Sequence, residues 1–114
     1  VWARQQDRAA GPRFGPEDLV LVGTIDDQVV GYAAVHPQGL ADGGELAVIT
    51  DIYVQPDARE VGVGEALLDA CIGWASERGC IGVDALARPG MRATKNFFEA
   101  AGLVARAIVV HKRL

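Results

Sequence analysis

Cysteine is scarce in this chain. Its 114 residues include two, Cys71 and Cys80. Two are too few, and too poorly spaced, for a disulfide framework or a zinc site, so they read as reduced thiols of a cytoplasmic protein. Basic residues are outnumbered, with 11 Lys plus Arg against 15 Asp plus Glu and a net charge of -4. That balance argues against tracking a nucleic-acid backbone, which needs a basic surface. No apolar run approaches the roughly 18 residues that span a bilayer. No charged-then-apolar leader opens the chain. Neither a metal, a nucleic acid nor a membrane is therefore expected as a partner. Methionine is absent from the first position, which is Val1. Either a start codon was read literally, or residues upstream are missing.

What is present suits one small globular domain. Half of the residues are hydrophobic and 23% are charged, far from the composition of disordered chains. Val1 to Ala10 reads as the tail of a helix, stopped by Gly11-Pro12 and Gly15-Pro16. Leu19 to Ile25 and Val29 to Val35 are apolar and β-branched, separated by the turn signal Asp26-Asp27, and predict an antiparallel hairpin. Residues 37–44 read as a loop, and Glu45 to Gln55 as a longer strand ended by Pro56. From Gly64 the period becomes helical, with Ala66, Leu67, Ala70, Cys71 and Trp74 on one stripe and Gly79 as a stop. Cys80 to Leu86 predicts another strand, Ala93 to Ala101 a second helix closed by Gly102, and Leu103 to His111 a final strand. The order β-β-β-α-β-α-β gives an α/β domain with a mixed sheet. Its front hairpin is antiparallel, and residues 45–86 form a parallel β-α-β crossover.

Chemistry concentrates where the third of these strands meets the first full helix. In Arg59-Glu60-Val61-Gly62-Val63-Gly64-Glu65, glycines let the backbone approach a ligand, and the first N–H groups of the helix carry partial positive charge. Such a turn suits a phosphate or pyrophosphate, and Arg59 adds a fork of donors. Two familiar phosphate loops do not fit. No Gly-Lys-Ser/Thr follows the glycines, and the third glycine of a dinucleotide fingerprint is replaced by Leu67.

Together the segments resemble the GNAT superfamily of acyl-CoA-dependent N-acetyltransferases, from about Leu19 to the C-terminus. Val30-Gly31-Tyr32-Ala33 is similar to the family's third strand and Asp51-Ile52-Tyr53-Val54-x-Pro56 to its fourth. Arg59-x-x-Gly62-x-Gly64 is similar to its pyrophosphate motif, and Ala93-x-x-x-Phe97-Phe98-Glu99-x-x-Gly102-Leu103 to its last helix and turn. The resemblance implies a GNAT-like fold and transfer of an acetyl group from acetyl-CoA to a primary amine of a small molecule or peptide. It places acetyl-CoA in a V-shaped gap between residues 45–55 and 80–86. The pantetheine arm would pair along Ile52, Tyr53 and Val54, and a backbone N–H near Val54 would stabilise the oxyanion. The pyrophosphate would rest on Arg59, Glu60, Val61, Gly62, Val63, Gly64 and Glu65. A homodimer is a common expectation for the family. The family's first strand has no counterpart here, so the sheet edge is expected to be bare unless a partner or upstream residues cover it.

The chemical residues depart from the family pattern. Phe98 stands where many members carry a tyrosine acid, Gly90 where an asparagine is frequent, and Thr50 at a common place for a glutamate base. Asp51 and Tyr53 are the remaining candidates for catalysis, with Tyr32 a further possible proton donor. Each tyrosine has core packing as its alternative. By strand alternation Glu45 shares a face with Asp51 unless a bulge near Thr50 intervenes. His36 and His111 read as surface residues, and Cys71 and Trp74 as packing. Phe98 and Thr50 also favour a second reading, a non-catalytic acyl-CoA-binding module of regulation or assembly.

Overall fold

A computed structural model describes residues 2–6, 15–87 and 92–114. Among these residues, five strands form one mixed sheet in the order β1-β2-β3-β4-β5. They are β1 (Trp2–Gln6), β2 (Leu19–Ile25), β3 (Gln28–Gly39), β4 (Glu45–Val54) and β5 (Gly82–Ala85). Helix α1 (Val63–Arg78) joins β4 to β5, which pair in parallel, and α2 (Arg92–Ala100) follows. The α/β class, the antiparallel hairpin and the parallel crossover are as the sequence predicts.

Local chemistry explains most boundaries. Asp26 and Asp27 take φ of 51° and 65° between β2 and β3, the left-handed pair of a tight hairpin turn whose twist matches the strands. Gly79 ends α1 at φ 84°, and its N–H bonds back to Ala75 and Ser76, so a left-handed glycine satisfies the last carbonyls. One face of the sheet carries Leu19, Leu21, Ala33, Val35, Ala47 and Ile49, which pack with Val63, Leu67, Leu68, Cys71 and Ala75 of α1 and Phe98 of α2 in a single core. Each fully buried Leu or Val contributes about 1.5–3 kcal/mol, so α1 is held chiefly by this face.

Three expectations are corrected. Residues 2–6, read as the end of a helix, form a strand that pairs antiparallel with β2 from Trp2↔Thr24 to Gln6↔Val20. Their composition is permissive for helix, but the open ladder of β2 supplies the hydrogen bonds, so tertiary context overrides local propensity. The β2 edge, expected to be bare, is therefore occupied. Second, the loop at 37–44 shortens, because β3 continues through Pro37 to Gly39. Leu40 N donates to Gly44 O, which makes Pro37↔Ala47 a pair without ladder bonds. Proline's missing N–H then faces away from β4, past the end of β2, and costs nothing there. Third, Leu103 to His111 forms no ladder with the described residues. Val104, Ile108, Val109 and Val110 are 81–90% exposed. β-branched residues favour a strand only where an edge pairs with them.

Gly31 and Gly39 provide a test of packing on β3. A Cβ at Gly31 would lie 2.6 Å from the backbone oxygen of Tyr53, whereas one at Gly39 would meet nothing within 4 Å. Gly31→Ala is expected to cost about 1–3 kcal/mol, because backbone must move, and Gly39→Ala to stay within about 0.5 kcal/mol. Urea unfolding of both variants measures the difference.

Candidate active site

A single extra residue in β4 organises the site. Ala34 pairs with Asp51 but Val35 with Ile49, so Thr50 bulges from the ladder. Its hydroxyl donates to Ala34 O at 3.4 Å. Before the bulge, Ala47 and Ile49 face α1; after it, Ile52 and Val54 do. Parity has shifted by one, and Asp51 and Tyr53 face the other side of the sheet with Tyr32 and Ala34.

The correction for Glu45 follows. It lies on the α1 side, opposite Asp51, and at the far end of β4. Arg78, in the last turn of α1, donates from Nε to Glu45 Oε1 at 2.6 Å and from Nη2 to Oε2 at 3.4 Å. The Arg78 guanidinium also lies 5.3 Å from the centre of the Trp74 ring. Its hydrogen bonds hold the Glu45 carboxyl below its ordinary pKa. Glu45 is thus a strand-to-helix tie.

The β4–β5 ladder stops short of the end of β4. It runs from Leu46↔Gly82 to Ile49↔Ala85 and ends, while β4 continues to Val54. Gln55 N donates to Val30 O at 2.7 Å. Antiparallel alternation then turns the peptide groups of Ile52 and Val54 away from β3, toward the gap left by β5. An open stretch of strand edge lies there.

The turn that follows brings the helix start to the same place. Pro56–Ala58 form one 3₁₀ turn, Glu60 takes a left-handed φ of 69°, and Gly62 at φ 90° precedes α1 with no side-chain cap. The first helical bond is Ala66 N to Gly62 O at 3.0 Å. The N–H groups of Gly62, Val63, Gly64 and Glu65 precede it and have no acceptor within the helix. A Cβ at Gly62 would meet nothing within 4 Å, so the turn is open above the helix end. Arg59 Nε donates to Val54 O at 3.0 Å, and its guanidinium lies 6.0 Å from the centre of the Tyr53 ring. Ile52, Tyr53, Val54, Arg59 and the 60–65 turn are therefore contiguous. Acyl-CoA fits this arrangement in kind: an amide-bearing arm for a strand edge, and a pyrophosphate for uncapped N–H groups beside an arginine.

Asp51 and Tyr53 are two residues apart on the face away from α1. Tyr53 is 46% exposed, which excludes the core alternative for it. Tyr32 is half-buried, and its hydroxyl donates to Asp51 Oδ2 at 3.3 Å. Phe98 is 5% exposed in the α1-side core, where it packs and has no route to a proton. Gly90 lies outside the described residues. His36 is exposed and pairs through Nδ1 with Asp18 Oδ1 at 2.6 Å, and His111 is exposed. Burial pushes the Cys71 thiol up to about 12, so it is inert packing.

Two neighbours escaped the sequence reading. Phe97 lies against Gly64, where a Cβ would be 3.3 Å from its ring and 3.8 Å from Val54. It therefore lines the junction of β4 and the α1 start. The Tyr32–Asp51 contact joins residues far apart in the chain and needs the β3–β4 register to be seen. Among the described residues, no group of three or more His, Cys, Asp or Glu side chains is placed to hold a metal ion. None of the described helices is long and apolar enough to cross a membrane.

A sequence model of the Acetyltransferase (GNAT) family matches residues 2–103. The chain belongs to the GNAT family of acetyltransferases. Aminoglycoside N(6')-acetyltransferase type 1 of Klebsiella aerogenes is 34% identical over 68 residues, which cover 57% of this chain and 45% of that protein. A solved putative acetyl transferase from Pyrococcus furiosus shares 29% identity at a TM-score of 0.76, over 86% of this chain and 66% of its own. An aminoglycoside acetyltransferase from an uncultured soil metagenomic sample, solved with trehalose, has the same fold at a TM-score of 0.78 and 22% identity, over 88% of this chain and 66% of that one. This GNAT chain spans less than half of the curated relative and about two thirds of the solved ones.

The Glu45–Arg78 tie predicts a pH dependence. A carboxyl whose folded pKa is lowered adds stability above its ordinary pKa and loses it as pH falls through the lowered one. Glu45→Gln is expected to melt slightly below wild type at pH 7. The gap should close as pH drops past the ordinary Glu value of about 4.3, as thermal melts from pH 7 to about 3 would record.

Proposed function

We propose that this GNAT chain transfers an acetyl group from acetyl-CoA to a primary amine. The observation that carries the reading is the open β4 edge at Ile52–Val54 running directly into the uncapped, glycine-flanked start of α1, with Arg59 at the junction. Family membership supports acetyl transfer, and the aminoglycoside N-acetyltransferase relative supports nitrogen as the acceptor.

In this reading the edge N–H and C=O of Ile52 hold the pantetheine arm, while the Val54 C=O stays with Arg59 and its N–H is left for the thioester carbonyl. Arg59 and the N–H groups of Gly62 to Glu65 hold the pyrophosphate, with Glu60 and Val61 shaping the turn. Acetyl-CoA supplies an activated thioester carbonyl at the gap. An amine is protonated at neutral pH and must lose a proton to become a nucleophile. Asp51 is the side chain assigned to accept it. The nitrogen then bonds to the carbonyl carbon, and the Val54 N–H stabilises the oxyanion. The C–S bond breaks, and the departing thiolate takes up the nitrogen's second proton, with Tyr53 as the hydroxyl able to relay it. The products are an amide, free CoA and one released proton. The acidic balance of the chain, -4 overall, favours approach of a cationic acceptor.

The test measures free thiol release from acetyl-CoA in the presence of a polyamine, an amino sugar and a peptide with a free α-amine. Calorimetry of CoA binding runs alongside. Amine-dependent thiol release supports the proposal, whereas binding with no release from any amine supports the module reading. Gly62→Asp places a carboxylate where a phosphate would rest, at a φ of 90°. It is expected to weaken CoA binding at least a hundredfold. Arg59→Ala should weaken it about tenfold, the loss of one charge-assisted contact. Unchanged affinity in both variants, with wild-type melting, would defeat the site.

A further inference from the structure

We propose that Tyr32 is the positioning residue of the acceptor site, holding the Asp51 carboxylate in place from the neighbouring strand. The inference deepens the acetyl-transfer reading and rests on it.

Three observations converge. The Thr50 bulge puts Asp51 on the sheet face away from α1, the face on which Tyr32 lies. Tyr32 pairs directly with Tyr53, and Asp51 pairs with Ala34. Tyr32 is thus the diagonal neighbour of Asp51, a relation that only a long side chain can bridge. It does so through a hydroxyl-to-carboxylate bond of 3.3 Å between partly buried groups. Finally, the Tyr53 ring lies 6.4 Å from the Tyr32 ring, tilted by 42°. The two rings lean on each other and limit the swing of the Tyr32 hydroxyl.

The chemistry gives this arrangement a purpose. A strand carboxylate can occupy more than one rotamer, and its neighbours select among them. A base that accepts a proton from an incoming ammonium group must present its oxygen at hydrogen-bond distance from that nitrogen. The Tyr32 O–H fixes the Oδ2 side of Asp51 and so orients the carboxylate toward the acceptor. Tyr32 itself exchanges no proton in the reaction. Its loss therefore costs acceptor use, with the handling of acetyl-CoA unaffected, because the Ile52–Val54 edge and the 59–65 turn do not depend on it.

The experiment compares Tyr32→Phe, Asp51→Asn and the double variant with wild type, using whichever of the polyamine, amino sugar and peptide is turned over fastest. Tyr32→Phe keeps the ring and its contact with Tyr53, so its melting temperature should match wild type. We expect it to lower kcat/KM for the amine about tenfold while the KM for acetyl-CoA and the calorimetric affinity for CoA stay unchanged. Asp51→Asn should lose far more, and adding Tyr32→Phe to it should cost nothing further, since there is no carboxylate left to orient. Tyr32→Leu should do no better than Tyr32→Phe on the amine and should also lower stability. A Tyr32→Phe enzyme with wild-type kcat/KM for the amine overturns the inference and leaves acetyl transfer standing. So do losses that multiply in the double variant. Wild-type protein that releases no thiol with any amine overturns both.

Discussion

The extra residue at Thr50 is the constraint on which the rest of the molecule's arrangement depends. A strand without it would send Asp51 and Tyr53 into the α1 face, where the core has no room for a carboxylate. With it, Ile52 and Val54 take the core positions, and the polar pair emerges on the opposite face. A bulge also sharpens the local twist of its strand. The β4–β5 ladder ends at Ile49, the residue just before the bulge. The open edge and the polar face therefore begin at the same point in the chain.

Around that point the fold divides its labour between two ends of β4. At the start of the strand, Glu45, Arg78 and Trp74 bind β4 to the end of α1. At its finish, Val54, Arg59 and Gly62 lead into the beginning of α1. The helix is thus fixed at its C-terminal end by an ion pair and along its length by Leu67, Leu68 and Cys71, while its N-terminal end stays uncapped. A side-chain cap there would occupy the N–H groups that a phosphate needs. Gly62 reaches the left-handed conformation without bringing a side chain to that space.

The expected chemical residues of the GNAT family illustrate how packing reassigns a position. Phe98, which the family resemblance matches to a frequent tyrosine, contributes to the core beneath the sheet. Phe97 is the member of the pair that reaches the cleft junction, against Gly64. Both aromatic residues fit the apolar stripe of α2, and only the docking of the helix separates their roles. The face of the sheet away from α1 carries the polar side chains Tyr32, Asp51 and Tyr53, and it is the face proposed for the acceptor.

Much of this was legible in the residues alone. The turn at Asp26-Asp27, the periodic stripe from Ala66 to Trp74, the stop at Gly79 and the motif Arg59-x-x-Gly62-x-Gly64 are local patterns, encoded in backbone preference and side-chain spacing over a few residues. They were enough for the α/β order, the parallel crossover and the position of the candidate cofactor turn. Tertiary structure decided what depends on distant partners. Trp2–Gln6 became a strand because β2 offered an edge, whereas Leu103 to His111 forms no ladder with the described residues and is tied to β5 through the Arg106–Asp84 ion pair. The bulge at Thr50 separated Glu45 from Asp51, and the β3–β4 register brought the Tyr32 hydroxyl to Asp51. Strand pairing and the facing of side chains are properties of two segments at once, and a one-residue slip inverts them. No reading of either segment by itself contains that information.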